Sequence, residues 1–176
     1  MARSFKGTVK FSFDGILTND SSTASDQHII NSTNSFSNGT GANQAQRMWY
    51  DEGRALTAAQ AEDLDMFDLA AFDTGGGAGL DSLGQAHAIT GVKMIYVKNL
   101  ATSAGSLIVG NKNATTAWNA PFNASDTGAI TLAPGAWFCI TDPTALGFDV
   151  TDTDNHLLTF TDAGSTCSYD VAFIGI

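Results

Sequence analysis

The sequence predicts an all-β protein, an antiparallel β-sandwich with a polar N-terminal extension, on three observations. Residues 92–99 (VKMIYVKN) form the densest strand pattern in the chain, mixing β-branched, aromatic and long apolar residues with two lysines. After them, short apolar segments recur between turn signals at Pro134-Gly135, Asp142-Pro143, Gly147, Asp154-Asn155 and Ala163-Gly164. Helical periodicity is almost absent, and short strands at such intervals read as a sandwich or barrel. Spacing does not fix connectivity, so a jelly-roll is one arrangement the pattern allows.

Taken in order, residues 5–17 alternate with Val9, Phe11 and Phe13 on one side, which predicts a first strand with a turn at Asp14 and Gly15. Residues 19–46 are rich in Ser, Thr, Asn and Gly around one apolar island at His28, Ile29 and Ile30. They read as a long surface excursion carrying one short strand, a place for a flexible arm or a partner contact. The chain thus divides into residues 1–46, a strand plus this excursion, and residues 47–176, the sandwich.

Arg47 to Tyr50 is a compact strand pattern. Thr57 and Gln60 match a capping box and predict a helical turn at most, followed by a strand through Leu64 and Met66. Residues 73–87 hold Gly75, Gly76, Gly77, Gly79 and Gly84 without the spacing or Lys-Ser/Thr pair of a phosphate loop, and read as a connection between sheets. Strands are then predicted over residues 105–110, 129–132, 136–141, 148–151, 157–161 and 169–176, the last paired and buried.

The chain has 176 residues, enough for a substantial core without a disulfide or metal. Its net charge is −10, and no Lys or Arg follows Lys112. A region without fixed cations cannot release counterions from a phosphate backbone, which argues against nucleic-acid binding there. Nothing approaches the roughly 18 apolar residues of a membrane-spanning helix, and the start lacks a signal-peptide pattern, so a cytosolic product is expected. Cys139 and Cys167 each fall in a predicted strand and read as small buried hydrophobes. The Asn-x-Ser/Thr triplets at Asn19, Asn31, Asn38, Asn113 and Asn123 follow from composition and are not read as glycosylation sites.

Catalytic chemistry is not signalled. His28, His87 and His156 lie in separate segments without metal-ligand spacing, and no GxSxG elbow nominates a nucleophile. No catalytic residue and no cofactor are therefore assigned. Asp149, Asp152 and Asp154 could offer oxygen ligands to calcium, but they lack the glycine and distal glutamate of an EF-hand loop, and a turn is the preferred reading. Among Trp49, Trp118 and Trp137, the run AWFCIT makes Trp137 a core residue, whereas Trp118 is the one best placed as an exposed sugar platform. Packing at the sandwich edge is the preferred reading of Trp118 as well.

The segments GVKMIYVKNLATSAGSLIVG, a lone Trp118, ITLAPGAWFCITDPTALGFDVT and HLLTFTDAGSTCSYDVAFIGI resemble small β-sandwich virion proteins of tailed bacteriophages. GTGANQAQRMWYDEGRALTA and EDLDMFDL are similar to that family's N-terminal half, so the likeness covers residues 39–176. The resemblance implies a non-enzymatic structural protein, a capsid decoration (cement) protein bound to the major capsid protein on the head exterior. The alternative it leaves open is a tail-associated sandwich that binds host surface glycan. A shell's symmetry would favour a homo-oligomer, a trimer first, with the excursion over residues 19–46 ordering on contact. No membrane partner is implied.

Overall fold

A computed structural model describes residues 4–18, 25–68, 88–110, 116–118, 120–122 and 128–176. Among these residues all regular structure is β, in twelve strands and three sheets. β1 (Lys6–Thr18) and β2 (Ser25–Asn38) pair antiparallel over their whole length, and β3 (Gln44–Ala45) joins β2 in parallel. The five-stranded sheet is built on β12 (Cys167–Gly175), which lies between β4 (Arg47–Leu56) and β6 (Gly91–Asn99). β9 (Trp137–Thr141) and β10 (Phe148–Asp149) share the far side of β6. The four-stranded sheet is ordered β5 (Ala61–Asp65), β11 (Leu157–Asp162), β7 (Leu107–Gly110) and β8 (Ala129–Leu132).

The four- and five-stranded sheets enclose one core. Ile95, Val97, Val171 and Phe173 of one sheet belong to the same buried cluster as Val109, Leu132, Leu158 and Phe160 of the other. Each such side chain contributes about 1.5–3 kcal/mol through loss of apolar surface from water. The all-β, antiparallel arrangement expected from the strand pattern is thus observed, consistent with a sandwich. The chain's last strand is central and buried, as its apolar pattern indicated, and 92–99 lies inside the sheet beside it.

Two bulges decide which side chains enter the core. In β4, Arg54 faces Tyr169 but Asp51 faces Val171, so Glu52 and Gly53 together oppose Asp170. Gly53 takes φ +72°, open to glycine but costly for other residues, and its N–H donates to Asp170 Oδ1 at 2.9 Å. The extra residue reverses the alternation, and Trp49 and Leu56, seven apart in sequence, both reach the core. At the other end of the sheet Ile174 faces Met94 and Gly175 faces Val92, leaving Lys93 as the inserted residue. Lys93 is fully buried, and its ammonium donates to the carbonyls of Thr144 and Ala145. Desolvation pushes its pKa down, while Asp142 acts in the opposite direction. Lys98 remains half-buried on the outer face, so the two lysines of that strand serve different purposes.

The N-terminal expectations need correction. β1 runs through Asp14 and Gly15 without a turn, and the one short strand expected in the excursion is a 14-residue strand, β2. Its polar residues have no core to face, so no apolar alternation marks it; the cross-strand backbone ladder holds it. The capping-box residues form a tight turn rather than a helix: Thr57 N–H donates to Gln60 Oε1 at 2.9 Å while Gln60 N–H donates to Thr57 O at 3.0 Å. The glycine-rich connection expected over residues 73–87 lies outside the described residues.

Asp162, the last residue of β11, closes this turn at the start of β5. It is 4% exposed, and its carboxylate accepts from the N–H groups of Gln60 and Gly164, each at 2.6 Å. Burial tends to raise its pKa, but the backbone donors outweigh burial and hold it below the ordinary carboxylate value of 3.8. The stabilisation is therefore present above that value and is lost as pH falls through the lower native pKa. Asp162→Asn should lower the melting temperature at neutral pH and shrink the stability loss on acidification below about pH 4; a calorimetric pH series checks both.

Candidate functional site

The paired strands β1 and β2 form an arm whose inner part is seated on the body and whose outer part projects from it. Directly opposed residues of an antiparallel pair share a face, so Val9, Phe11, Phe13 and Leu17 lie with Phe36 and Ile30 on one face. Near the body this face is seated. Phe36 and Ala45 are buried with Ile174, and Phe5, Val9 and Met94 pack against them. Asn34 Nδ2 donates to Thr141 Oγ1 at 2.5 Å, Asn43 N–H to Pro143 O at 2.8 Å and Gln46 N–H to Gly175 O at 2.9 Å. These contacts fix the base of the arm on the outer face of the five-stranded sheet.

Beyond Val9 the arm leaves the body. Lys10–Thr18 would span about 30 Å at the usual rise per residue, and along it Phe11, Phe13, Ile16 and Leu17 are 47–75% exposed. Opposite them Ile29 and Ile30 are 54% and 46% exposed. Gly15 lets the Phe13 ring lie flat along its own strand, since a Cβ there would sit 2.6 Å from Phe13 Cζ. Polar pairs on the other face stiffen the ladder: Ser12 Oγ donates to Asn31 Oδ1 at 2.9 Å and Gln27 Nε2 to Asp14 Oδ1 at 3.0 Å.

The outer face of the five-stranded sheet continues this apolar surface. Met48 and Tyr50 are 43% and 52% exposed, and Tyr96 lies 6.2 Å from Trp137, ring to ring. A cleft of about 550 Å³ opens between Val9, Phe11 and Ser32 of the arm and Trp137, Cys139 and Thr141 of β9. Cys139 and Cys167 are both free thiols, the first in this cleft and the second in the core. Burial raises both pKa values, which keeps them protonated at neutral pH.

Trp118 is packed, the reading preferred for it from the sequence, whereas Trp137, expected in the core, is exposed. Trp118 is fully buried, its Nε1–H donates to Asp149 O at 2.8 Å, and its ring makes edge contacts to Phe122 and Phe148. It cannot present a face to a sugar. Trp137 is 52% exposed, because in the register of β9 with β6 it shares the outer face with Lys98. The alternating strand WFCIT turns Phe138 and Ile140 inward instead.

The aspartates proposed for calcium are not assembled into a site. Asp152 and Asp154 are exposed in the tight turn closed by reciprocal Thr151 and Asn155 backbone bonds of 3.1 and 3.2 Å. Asp149 contributes its backbone carbonyl to Trp118 and to Asn155 Nδ2. Among the described residues no three His, Cys, Asp or Glu side chains converge to hold a metal. His28 is exposed on the arm, His156 lies 3.9 Å from Asp65, and His87 is outside the described residues. Asp65 in turn accepts from the N–H groups of Phe67 and Asp68, each at 2.9 Å, as a turn residue does. No helix among the described residues is long and apolar enough to cross a membrane.

No protein-family profile matches the sequence, and comparison with curated proteins gives no match. The sequence pattern showed the apolar island at Ile29 and Ile30 and a place for an arm, but not that the arm is built by residues 25–38 pairing with 6–18. The available signal was that Phe11, Phe13 and Ile30 can share a face only if residues 25–38 pair back on 6–18.

The contrast between the tryptophans is directly measurable. Trp118→Ala should cost about 3–5 kcal/mol, the range for emptying a large aromatic site, whereas Trp137→Ala should change stability by under about 1 kcal/mol. Urea unfolding of both variants checks the difference.

Proposed function

We propose that this chain is a non-enzymatic structural protein of a phage virion, a decoration (cement) protein that binds the major capsid protein on the outside of the head. The observation that carries this reading is the projecting arm, a strand pair that exposes large apolar side chains away from the core. Such a surface suits assembly, since monomeric proteins rarely leave a contiguous apolar patch of this kind uncovered. A sandwich body with a net negative charge supports the same role, because like charge resists nonspecific clustering on a crowded shell. The resemblance of residues 39–176 to virion sandwiches supplies the choice of the head exterior. Purified protein should co-sediment with shells that lack it and raise the temperature at which those shells open; shells that neither bind it nor gain stability would overturn the reading.

One observation favours a tail-associated, glycan-binding role instead. Trp137 and Tyr96 form an exposed aromatic pair beside the arm cleft, where Asn34 and Ser32 add polar groups. In that reading Trp137, not Trp118, is the sugar platform. A glycan array should then give hits that Trp137→Ala abolishes, and an array without hits would remove it.

A further inference from the structure

The outer face of the five-stranded sheet carries a groove of about 400 Å³ that runs along β12. Its form follows from the register of three strands. Ala172 stands opposite Tyr50 of β4 on one side and Tyr96 of β6 on the other, so a small residue is flanked by two large rings. Neighbouring strands lie about 4.8 Å apart, which sets the two tyrosines about 10 Å from each other across the alanine. Two residues along β12, Ile174 stands between Met48 and Met94; two residues the other way, Asp170 lies beside the bulge of Glu52 and Gly53. The groove therefore has aromatic walls, a low floor, an apolar end and an acidic end.

The two ends differ in what meets them. At the apolar end the base of the arm closes the groove, where Ile174 is buried with Phe36 and Met94 packs against them. At the acidic end Glu52 is exposed. Lys98 faces Asp170 from β6, so two carboxylates against one ammonium leave a negative charge there. That charge reaches the aromatic wall: burial raises the Tyr96 pKa, and Asp170 raises it further.

A group that is apolar along its length and cationic at its head matches this order of surfaces. Tyrosine rings attract a cation, carboxylates accept its donors, and methionines adapt to irregular apolar neighbours. Arginine suits the groove better than lysine, because its stem covers apolar surface and its planar, weakly hydrated guanidinium both stacks on rings and forks onto carboxylates. The chain's net charge of −10 also favours the approach of a basic partner.

We propose that this groove is a docking site for a partner protein that inserts an arginine side chain between Tyr50 and Tyr96, with the guanidinium at Glu52 and Asp170 and an apolar neighbour over Met48 and Met94. The groove is separate from the projecting part of the arm. The inference goes beyond the virion reading and does not depend on it, since it names the chemistry a partner must present.

The test titrates an acetylated and amidated Gly-Leu-Arg-Gly peptide into the full chain and follows the ring resonances of Tyr50 and Tyr96 by NMR. Both should shift saturably. The same peptide with citrulline, neutral and close to arginine in shape, should bind about tenfold more weakly. Tyr50→Ala and Glu52→Gln should each weaken the arginine peptide several-fold, and Tyr50→Phe, which keeps the ring, should retain it. Asp170→Asn should also weaken it; asparagine keeps an oxygen to accept from the Gly53 N–H, so a loss there reads the charge rather than the bulge. Unchanged circular-dichroism spectra and melting temperatures exclude misfolding of the variants. Rings that do not shift, citrulline that binds as well as arginine, or binding that survives Tyr50→Ala overturns the proposal. Tetramethylammonium binding as tightly as the peptide overturns the protein partner and assigns the groove to a small organic cation. Peptide binding that appears only in Arg3→Ser overturns it as well, in favour of this chain's own arginine. Shell co-sedimentation is read separately: shells that ignore the protein overturn the virion reading alone, and a peptide that fails to bind overturns the groove alone.

Discussion

The bulge at Gly53 is the constraint on which the two-sheet body depends. In a regular strand, residues three apart point to opposite faces, yet Asp51 and Arg54 form an ion pair of 2.6 Å. They do so because the residue inserted at Gly53 returns Arg54 to the core side. From there its guanidinium reaches Glu62 of β5 at 2.8 Å, and Glu62 also accepts from the hydroxyl of Tyr169 on β12. The Tyr169 ring stacks on Phe160 of β11 at 4.7 Å. One extra backbone residue thus connects strands of both sheets through a charged pair, a hydrogen bond and a ring contact.

The balance of forces in this network is visible in its titrations. Burial alone would lower the pKa of Arg54, but the hydrogen bonds its guanidinium donates to Glu62 and Asp51 outweigh burial and raise the value. Burial and the Glu62 charge both push Tyr169 upward. Arg54 thus stays a cation and Tyr169 a neutral phenol across ordinary pH. A buried pair adds less stability than its Coulomb energy suggests, because both charges lose water. Its clearer effect is on specificity, since any slip of β4 against β12 would strand a charge between the sheets.

Legibility in the sequence followed how far each strand's own residues determined its burial. β6, β8, β11 and β12 were recognisable because each carries its apolar residues on a core-facing side. β4 was only half recognised: Trp49 and Leu56 have opposite parity, and a glycine between them is the signal that reconciles the two. β2 was read as an excursion with one short strand because Ser, Thr and Asn occupy both its faces. Trp137 looked like core because its neighbours are apolar, yet alternation, not neighbourhood, decides the face. Trp118 was weighed as a sugar platform because its segment is polar, but the packing preferred for it is what the rings of Phe122 and Phe148 provide.

These differences separate two kinds of apolar residue in the chain. In the body, bulges and register bring residues of awkward parity inward, and even Lys93 and Asn99 are fully buried with their nitrogens on backbone carbonyls. In the arm the register is regular over thirteen pairs, without a bulge, and yet the apolar side chains remain outside. A sequence able to bury a lysine had the means to hide Phe13 or Leu17. Bulges and inward charges also commonly blunt an exposed strand pair, and the ladder of the arm lacks a bulge. The exposure is therefore a property of the folded chain's surface chemistry, consistent with a strand pair whose packing is completed outside the chain.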